Sequence, residues 1–545
     1  MSTVSESLSQ LEVLVIDCQA TAAAPRGHLL EMGWARAGAT TTRADARLIA
    51  LPGGERIPPA VARLTGISDR MLLQDGVEAQ VAWCEFAGEA ASLPRQPAPA
   101  VIHFSRFEQP FLRALAAGVP PLDIVCTHDI ARRLLPDLPR CGVRALAGYF
   151  GRGVATLRRS ADHVEATAFV WRELVRLLGD EGIESWEALR QWLAASRATR
   201  RTRRVWPMPR DVRLSLPDAP GLYRLLRTSG DVLYVGKAAS LRHRVNSYFR
   251  RQHGLPERTL EMLSQARGLA VDVMPSALEA ALAEPDAIKR HRPPYNVALT
   301  VADRAVWFAA PDLSARSPRP TPQCPLGPMP SAAMLDEFDA LAAADGRALG
   351  SGRWCPDAAT FAAGYARLCA GHPELARQDL GAHDRLLRLG TRLWREGRRD
   401  HDVDADEETR AITVWTPELV QRSLEWLSLR GALARRRASW LTRLVDASVV
   451  WTEPGAAGAR LIVVENGEVL QHDAVEPNAV PPVPPGYARS VEVRREVFTL
   501  ARFDRLRVLS TELKRLVAAG APVAVRLGVG PPLADARLAS ILWWV

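Results

Sequence analysis

The sequence predicts a multidomain α/β (α+β) protein, and three observations carry that expectation. At 545 residues and 47% apolar composition, the chain is too long for one ordinary hydrophobic core. Through its first 300 residues, alternating apolar runs are interleaved with stretches of helical period, the pattern of sheets with helices on their faces. An arginine run (RATRRTRR, Arg197–Arg204) and a proline-rich stretch (Pro311–Pro330) interrupt that pattern. The expected division is a first domain at 1–195, a basic linker at 196–215, a small α/β module at 216–300, a Pro-rich linker at 301–330, and a mainly helical region with a few strands at 331–545.

In the first block, strands are expected at Leu11–Asp17, His28–Ala37 and Ala46–Leu51. Helix and strand then alternate: a strand at Ala100–Phe104, a helix at Phe107–Ala116, a strand at Asp123–Cys126, and a last long helix at His163–Leu178. Three strands followed by alternation imply a mixed sheet. The arginine run reads either as a solvated linker or as a segment that lies on a phosphate backbone. The second block reads as a hairpin (Leu222–Leu226, a turn at Ser229-Gly230, Val232–Gly236), helices at Leu241–Arg250 and Arg258–Arg267, a strand at Ala270–Met274, and a helix at Ala277–His291. In the third block, SLEWLSLRGALARRRASWLTRLVD has helical spacing with a basic opposite face. A strand pair (ARLIVVENGEVLQH), a Pro-rich loop and the helix FDRLRVLSTELKRLV follow. LGVGPPLADARL, 527–538, faintly resembles a helix-hairpin-helix turn, although it follows a strand-like PVAVR.

A net charge of +9 is compatible with a polyanionic partner without requiring one. The seven cysteines form no CxxC pair and no zinc spacing, which implies free thiols in a reducing compartment. No apolar run is long enough to span a bilayer and the first ten residues do not read as a signal peptide, so a cytoplasmic location without membrane contact is expected.

The second block concentrates the chemistry. PGLYRLL (220–226) and LYVGKAASLRHRVNSYF (233–249) place Tyr223 and Tyr234 at matching positions on two paired strands, with Lys237 just beyond. Arg244 and Tyr248 are four apart and share a helical face. Glu284 lies on an amphipathic helix, and Asn296 follows RPPY. This arrangement resembles the GIY-YIG endonuclease family, specifically the N-terminal nuclease of UvrC-type excinucleases and their short relative Cho, over about Leu216–Leu299. The GIY element is Gly221–Tyr223 and the YIG element is Tyr234–Gly236.

The resemblance implies a fold and a set of roles. Glu284 is expected to hold one Mg²⁺ or Mn²⁺ acting as Lewis acid on a phosphate. Tyr234 is the family's candidate general base; a phenol of pKa ~10 needs nearby positive charge to act near neutrality. Lys237 and Arg244 would supply it, and the planar Arg244 fork would also stabilise a developing oxyanion. Tyr223, Tyr248 and Asn296 would position the water and the site. Arg242, Arg250, Lys289 and Arg292 are expected to face DNA. One departure is Pro285, directly after Glu284; a proline inside a helix removes a hydrogen bond and can kink it, so the carboxylate is expected either to keep its inward register or to be displaced.

The first block resembles a DnaQ-like 3′–5′ exonuclease of the DEDDh class, with an RNase H-like mixed sheet, over about 11–180. The residues behind this are LVIDCQAT with Asp17, HLLEMGWA, LTGIS, FSRFEQPFL, CTHDIARRLLP and RRSADHVEATAF. That family needs four carboxylates to bridge two metals and a histidine base. Here the first acid matches Asp17, the second Gln19, the third Glu108, the fourth His163 (with Asp162 before it), and the histidine Arg158. Three readings stay open: a fold repurposed without activity, an altered metal site of Asp17, Glu108 and His163, or a working exonuclease.

For the whole chain, the expected function is a metal-dependent DNA endonuclease that incises damaged DNA in nucleotide excision repair after excision-repair proteins load it. The alternatives are a DNA- or repair-complex-binding protein that does not cut, and a protein whose main activity is 3′–5′ exonuclease.

Overall fold

Alternation in the first strand, β1 (Val13–Ala20), feeds two different cores. Val13 and Val15 pack with Trp171 and Leu174; Leu14 and Ile16 pack with Phe86 and Leu112. A strand buried on both faces belongs at the centre of a sheet. The computed structural model places it there and describes residues 6–38, 41–154, 157–195, 205–250, 254–296, 305–343, 356–396 and 415–542. The arginine run 197–204 lies outside these residues.

The chain divides into two compact units: Met1–Val273 with His291–Asn296, and Met274–Arg290 with Val297–Val545. In the first unit, β2 (Leu29–Ala37), β3 (Asp45–Leu48), β4 (Ala98–Ile102) and β5 (Leu122–Cys126) complete a sheet of order β3-β2-β1-β4-β5. β2 pairs antiparallel with both β1 and β3, while β4 and β5 run parallel to β1, which is a mixed sheet. Pairing of β1 with β2 continues past Asp17 through Gln19↔Glu31, so Asp17 lies within the strand rather than at its end.

A second sheet in this unit has β6 (Gly221–Leu226) between β7 (Val232–Ala238) and β8 (Gly268–Val273), all antiparallel. Tyr223, Leu225 and Leu233 share its core with Leu263 and Phe249 from the helices Glu257–Gln265 and Leu241–Arg250. The described part of the expected basic linker, 205–215, folds onto this core: Trp206 and Met208 are buried, and the Trp206 indole donates to Phe249 O at 3.1 Å.

The second unit is built around the 28-residue helix Pro417–Leu444. Helices Ala332–Ala343, Ala358–Gly371 and Ala382–Arg395 pack on its first half. The expected Pro-rich linker instead contributes a small sheet of β9 (Trp307–Ala309), β10 (Arg316–Ser317) and β11 (Leu326–Met329). Phe308 and Met329 are buried, which gives this segment a core of its own to join. After the long helix comes an antiparallel sheet: β12 (Ala447–Trp451), β13 (Ala459–Glu465), β14 (Glu468–Val475), β15 (Val523–Arg526) and β16 (Leu533–Ala534), ordered β14-β13-β12-β15-β16. The stretch that resembled a helix-hairpin-helix turn is therefore the connection between two paired strands, β15 and β16. No helix of the described residues is long and apolar enough to cross a membrane.

Candidate functional site

Three phenols meet on the small sheet. The Tyr223 and Tyr248 hydroxyls are 2.9 Å apart, and the ring of Tyr234 lies 6.1 Å from that of Tyr223 and 6.5 Å from that of Tyr248. Two glycines make this packing possible. A Cβ on Gly236 would sit 2.4 Å from the Tyr223 hydroxyl, and one on Gly221 would sit 2.3 Å from Asp272 O across the strand pair. Both positions therefore need glycine for the close approach of a neighbour.

The phenols differ in burial. Tyr223 is fully buried; burial, then the adjacent Tyr248 and Tyr234, push its pKa well above the ordinary phenol value. It stays protonated and serves as a fixed hydrogen-bonding group. Tyr234 is half-buried. The Arg244 guanidinium lies 5.3 Å from the centre of the Tyr248 ring. Burial acts to lower the Arg244 pKa, and the surrounding phenols Tyr223, Tyr248 and Tyr234 outweigh it, so the guanidinium is held firmly charged. Lys237 is half-buried near the end of β7, opposite Leu222.

Asn296 holds the outer edge of β7. Its Nδ2 donates to Val235 O and its Oδ1 accepts from Val235 N, each at 2.9 Å. Tyr295 N adds a bond to Leu233 O at 3.1 Å. These contacts occupy backbone groups that an edge strand otherwise leaves unpaired.

The same segment is anchored from the front domain. The buried Tyr295 hydroxyl donates to Glu261 and accepts from Gln265, and Arg144 pairs with Glu261 at 3.3 Å while stacking over the Tyr295 ring at 4.9 Å. Gln265 also accepts from the buried Arg227 at 3.1 Å. Sequence reasoning missed this network. Its partners are 30 to more than 100 positions apart, and the only local hint was the tyrosine in RPPYN.

Glu284 is half-buried on the helix Ala277–His291, which folds with the second unit from Ala277 to Arg290. Ser276 caps its start: Glu279 N donates to Ser276 Oγ at 3.1 Å, and that hydroxyl donates to Glu279 Oε2 at 2.9 Å. The helix runs unbroken through the buried Pro285. Leu278 and Leu282 enter a core with Trp440, Trp451 and Phe503, and Arg460 and Arg505 pair with Glu279 and Asp286.

In the front domain, Asp17 is buried. It accepts from Gln19 Nε2 at 2.8 Å and lies 3.6 Å from His163 Nδ1. Burial raises its pKa to about 6, against the opposing pull of His163. Glu108, in the first turn of the helix Ser105–Leu115, is pushed to about 9, first by burial and then by the charge of Asp17. One of its carboxyl oxygens is buried without a hydrogen-bond partner. Asp162 caps its helix by accepting from the backbone N–H groups of Arg158 and Arg159, so it is committed to the helix start. A carboxylate that the sequence did not single out, Glu31, is buried and clamped by the Arg159 guanidinium and by Ser160 N at 2.7 Å. Among the described residues, no group of three or more His, Cys, Asp or Glu side chains is arranged to hold a metal ion.

Residues 219–297 match the family described as the UvrC-like GIY-YIG domain. The chain carries a UvrC-like GIY-YIG domain. It is 50% identical over 90 residues to the UvrABC system protein C of Sphingopyxis alaskensis, an alignment covering 16% of this chain and 14% of that protein. A second similarity is broader: 32% identity over 264 residues to "Putative bifunctional exonuclease/endonuclease protein MT2247" of Mycobacterium tuberculosis, covering 47% of this chain and 39% of that one. That alignment is over three times as long as the GIY-YIG match, so most of it lies outside the domain. The chain thus spans less than half the length of these curated relatives. Among solved structures, the N-terminal GIY-YIG domain of UvrC from Thermotoga maritima, bound to its catalytic magnesium, is 32% identical, with 16% of this chain and all of that one aligned, at a TM-score of 0.15. The chain thus joins a UvrC-like GIY-YIG domain to a further part similar to that bifunctional exonuclease/endonuclease protein.

Around the GIY-YIG domain, Arg242, Arg250 and Arg292 are exposed, and Arg242 Nε donates to Leu216 O. Lys289, expected at the DNA, is engaged elsewhere. Its ammonium is 3.2 Å from the buried carboxylate of Asp504 and serves as that group's counter-charge in the second unit.

Proposed function

We propose that the chain is a divalent-metal-dependent DNA endonuclease acting through its GIY-YIG domain, and that it incises damaged DNA in nucleotide excision repair in the cytoplasm, loaded by other excision-repair proteins. The observation that carries this reading is the phenol cluster, in which three neighbouring tyrosines differ in burial. Tyr223 is kept a phenol by burial and braces Tyr248. Tyr234 is more accessible, has the Arg244 charge beside it, and is the phenol that would act as base toward water. Arg244 presents a planar donor fork to the phosphoryl oxygens. Lys237 adds positive charge, and Asn296 holds the strand that carries Tyr234.

Mg²⁺ or Mn²⁺ would supply Lewis acidity at the scissile phosphate. Glu284 is the residue that would hold it. Its carboxylate is the oxygen donor that these hard cations take, and Mg²⁺ keeps several waters and is bound through one or two carboxylates.

The exonuclease-like part is proposed to be an altered fold without 3′–5′ activity. The Gln19 amide bonded to Asp17 stands where a second acid is needed, and Arg158 stands where the base is needed. Nicking of end-labelled duplexes, intact and lesion-bearing, tests both statements. Internal cuts lost in Tyr234→Phe and Glu284→Ala but kept in Asp17→Ala support them. Stepwise loss from 3′ ends that only Asp17→Ala abolishes would overturn both.

A further inference from the structure

The long helix Pro417–Leu444 buries most of its surface, with Leu424, Leu427, Ala438, Trp440, Leu441 and Leu444 all in cores. Toward its C-terminal end, the side that remains open carries Arg435, Arg436, Ser439 and Arg443. Residues four and eight apart lie on one helix face, so Arg435, Ser439 and Arg443 form a stripe. Arg436 borders it, its guanidinium stacked on the Trp394 indole at 3.7 Å. Among the described residues no carboxylate pairs with Arg435, Arg436 or Arg443.

Neighbouring elements add charge of the same sign. Arg395, exposed at the end of the helix Ala382–Arg395, acts on Arg436, and Arg537, exposed on the helix Asp535–Leu542, acts on Arg443. Burial first, then Arg395 and Arg435 for Arg436, and Arg494 (itself paired with Asp446) and Arg537 for Arg443, push the two pKa values down. Cations gathered without acids repel one another, and a bound polyanion relieves that repulsion.

We infer that this arginine stripe is a nucleic-acid backbone site of the second unit, separate from the GIY-YIG domain. From Arg435 to Arg443 the helix advances ~12 Å, a length over which one strand of a duplex presents three or four phosphates at ~3.4 Å each. The side chains are guanidinium forks, suited to phosphate oxygens. Binding there is set by charge and insensitive to base sequence. The inference rests on DNA as the substrate of the proposed endonuclease.

The test is the salt dependence of binding of the full chain to a fluorescent duplex oligonucleotide, without added divalent metal. The triple variant Arg435→Ala/Arg436→Ala/Arg443→Ala is expected to bind at least about tenfold more weakly at low salt. Its slope of log K against log salt should be shallower by roughly 2 to 3, since each phosphate contact contributes ~0.9. The triple lysine variant, which keeps the charge, should keep most of the slope. The single Arg443→Glu exchange, at an exposed position, gives the same direction if the triple alanine variant folds poorly. Unchanged slope and affinity in both the alanine and glutamate variants would overturn the stripe while leaving the endonuclease reading intact. Failure of the wild-type chain to bind any duplex would overturn both.

Discussion

Asn296 closes a two-point hydrogen-bonded ring on the backbone of Val235, the residue beside Tyr234. It caps an edge strand at the place where the candidate base must be held still. Asn296→Ala leaves a donor and an acceptor of Val235 without these partners, a loss of about 1–3 kcal/mol. Hydrogen exchange of peptides covering 232–238 should quicken, and nicking should fall at least about tenfold at this loss. Unchanged exchange in that peptide would show that Asn296 acts on something other than the strand.

Tyr223 and Tyr234 should separate in a pH–rate profile. Burial keeps Tyr223 protonated throughout the working range, so Tyr223→Phe removes its hydroxyl's bonds to Tyr248 and to Arg244 without removing a titrating group. A rate reduction of about tenfold with an unaltered profile is expected. Tyr234→Phe should abolish nicking. A Tyr223→Phe protein whose alkaline limb moves would reassign the titrating phenol.

The contact between the front domain and the GIY-YIG domain should be energetically coupled to nicking. Arg144→Ala removes the partner of Glu261 and the cation over Tyr295. A loss of about 1–3 kcal/mol in stability is expected, because Glu261 and Tyr295 remain partly buried. The exchange Arg144→Glu/Glu261→Arg should recover part of what each single change loses, and a double-mutant cycle reads this directly. Additive effects would mean that the two residues do not act as a pair.

Glu108 gives stability an inverted pH dependence. Its folded pKa, about 9, stands above the ordinary 4.5. Between these values the folded chain holds a proton that the unfolded chain has released, so stability falls as pH rises through that window. The slope contributed by this group reaches at most about 1.4 kcal/mol per pH unit. Asp17, raised from 3.8 to about 6, adds the same sign at the acid end. Chemical denaturation with chelator present should show this decline in the wild type and a flatter curve in Glu108→Gln. Equal slopes in the two proteins would remove Glu108 as the source.

The parts of the fold legible in sequence were those with local causes. Alternation placed all five strands of the first sheet, and glycines beside tyrosines marked the hairpin of the second. The two linkers were misread for one reason. Proline and arginine dominate their composition, yet a few large apolar residues decide their fate: Trp206 and Met208 in one, Phe308 and Met329 in the other. Gly327, in a proline-rich strand, is where Phe308 packs: a Cβ there would lie 2.2 Å from the ring. β12 was hidden because its VVW follows a helix without a break in apolar character. Of the candidate site, the residue types were legible and their states were not. That Tyr223 is buried while Tyr234 is half-exposed, and that Lys289 serves Asp504, follow from long-range packing.

The helix bearing Glu284 takes its core from residues more than 150 positions downstream. A fragment ending near residue 300 would keep every residue by which the endonuclease family is recognised, yet would strip Leu278 and Leu282 of the surfaces that cover them, and Glu279 and Asp286 of their arginines. What looks like a transplantable cassette in the sequence is, as a folded object, completed by the tail of its own chain. Gene fusions or truncations that respect the family boundary would therefore cut through a hydrophobic core.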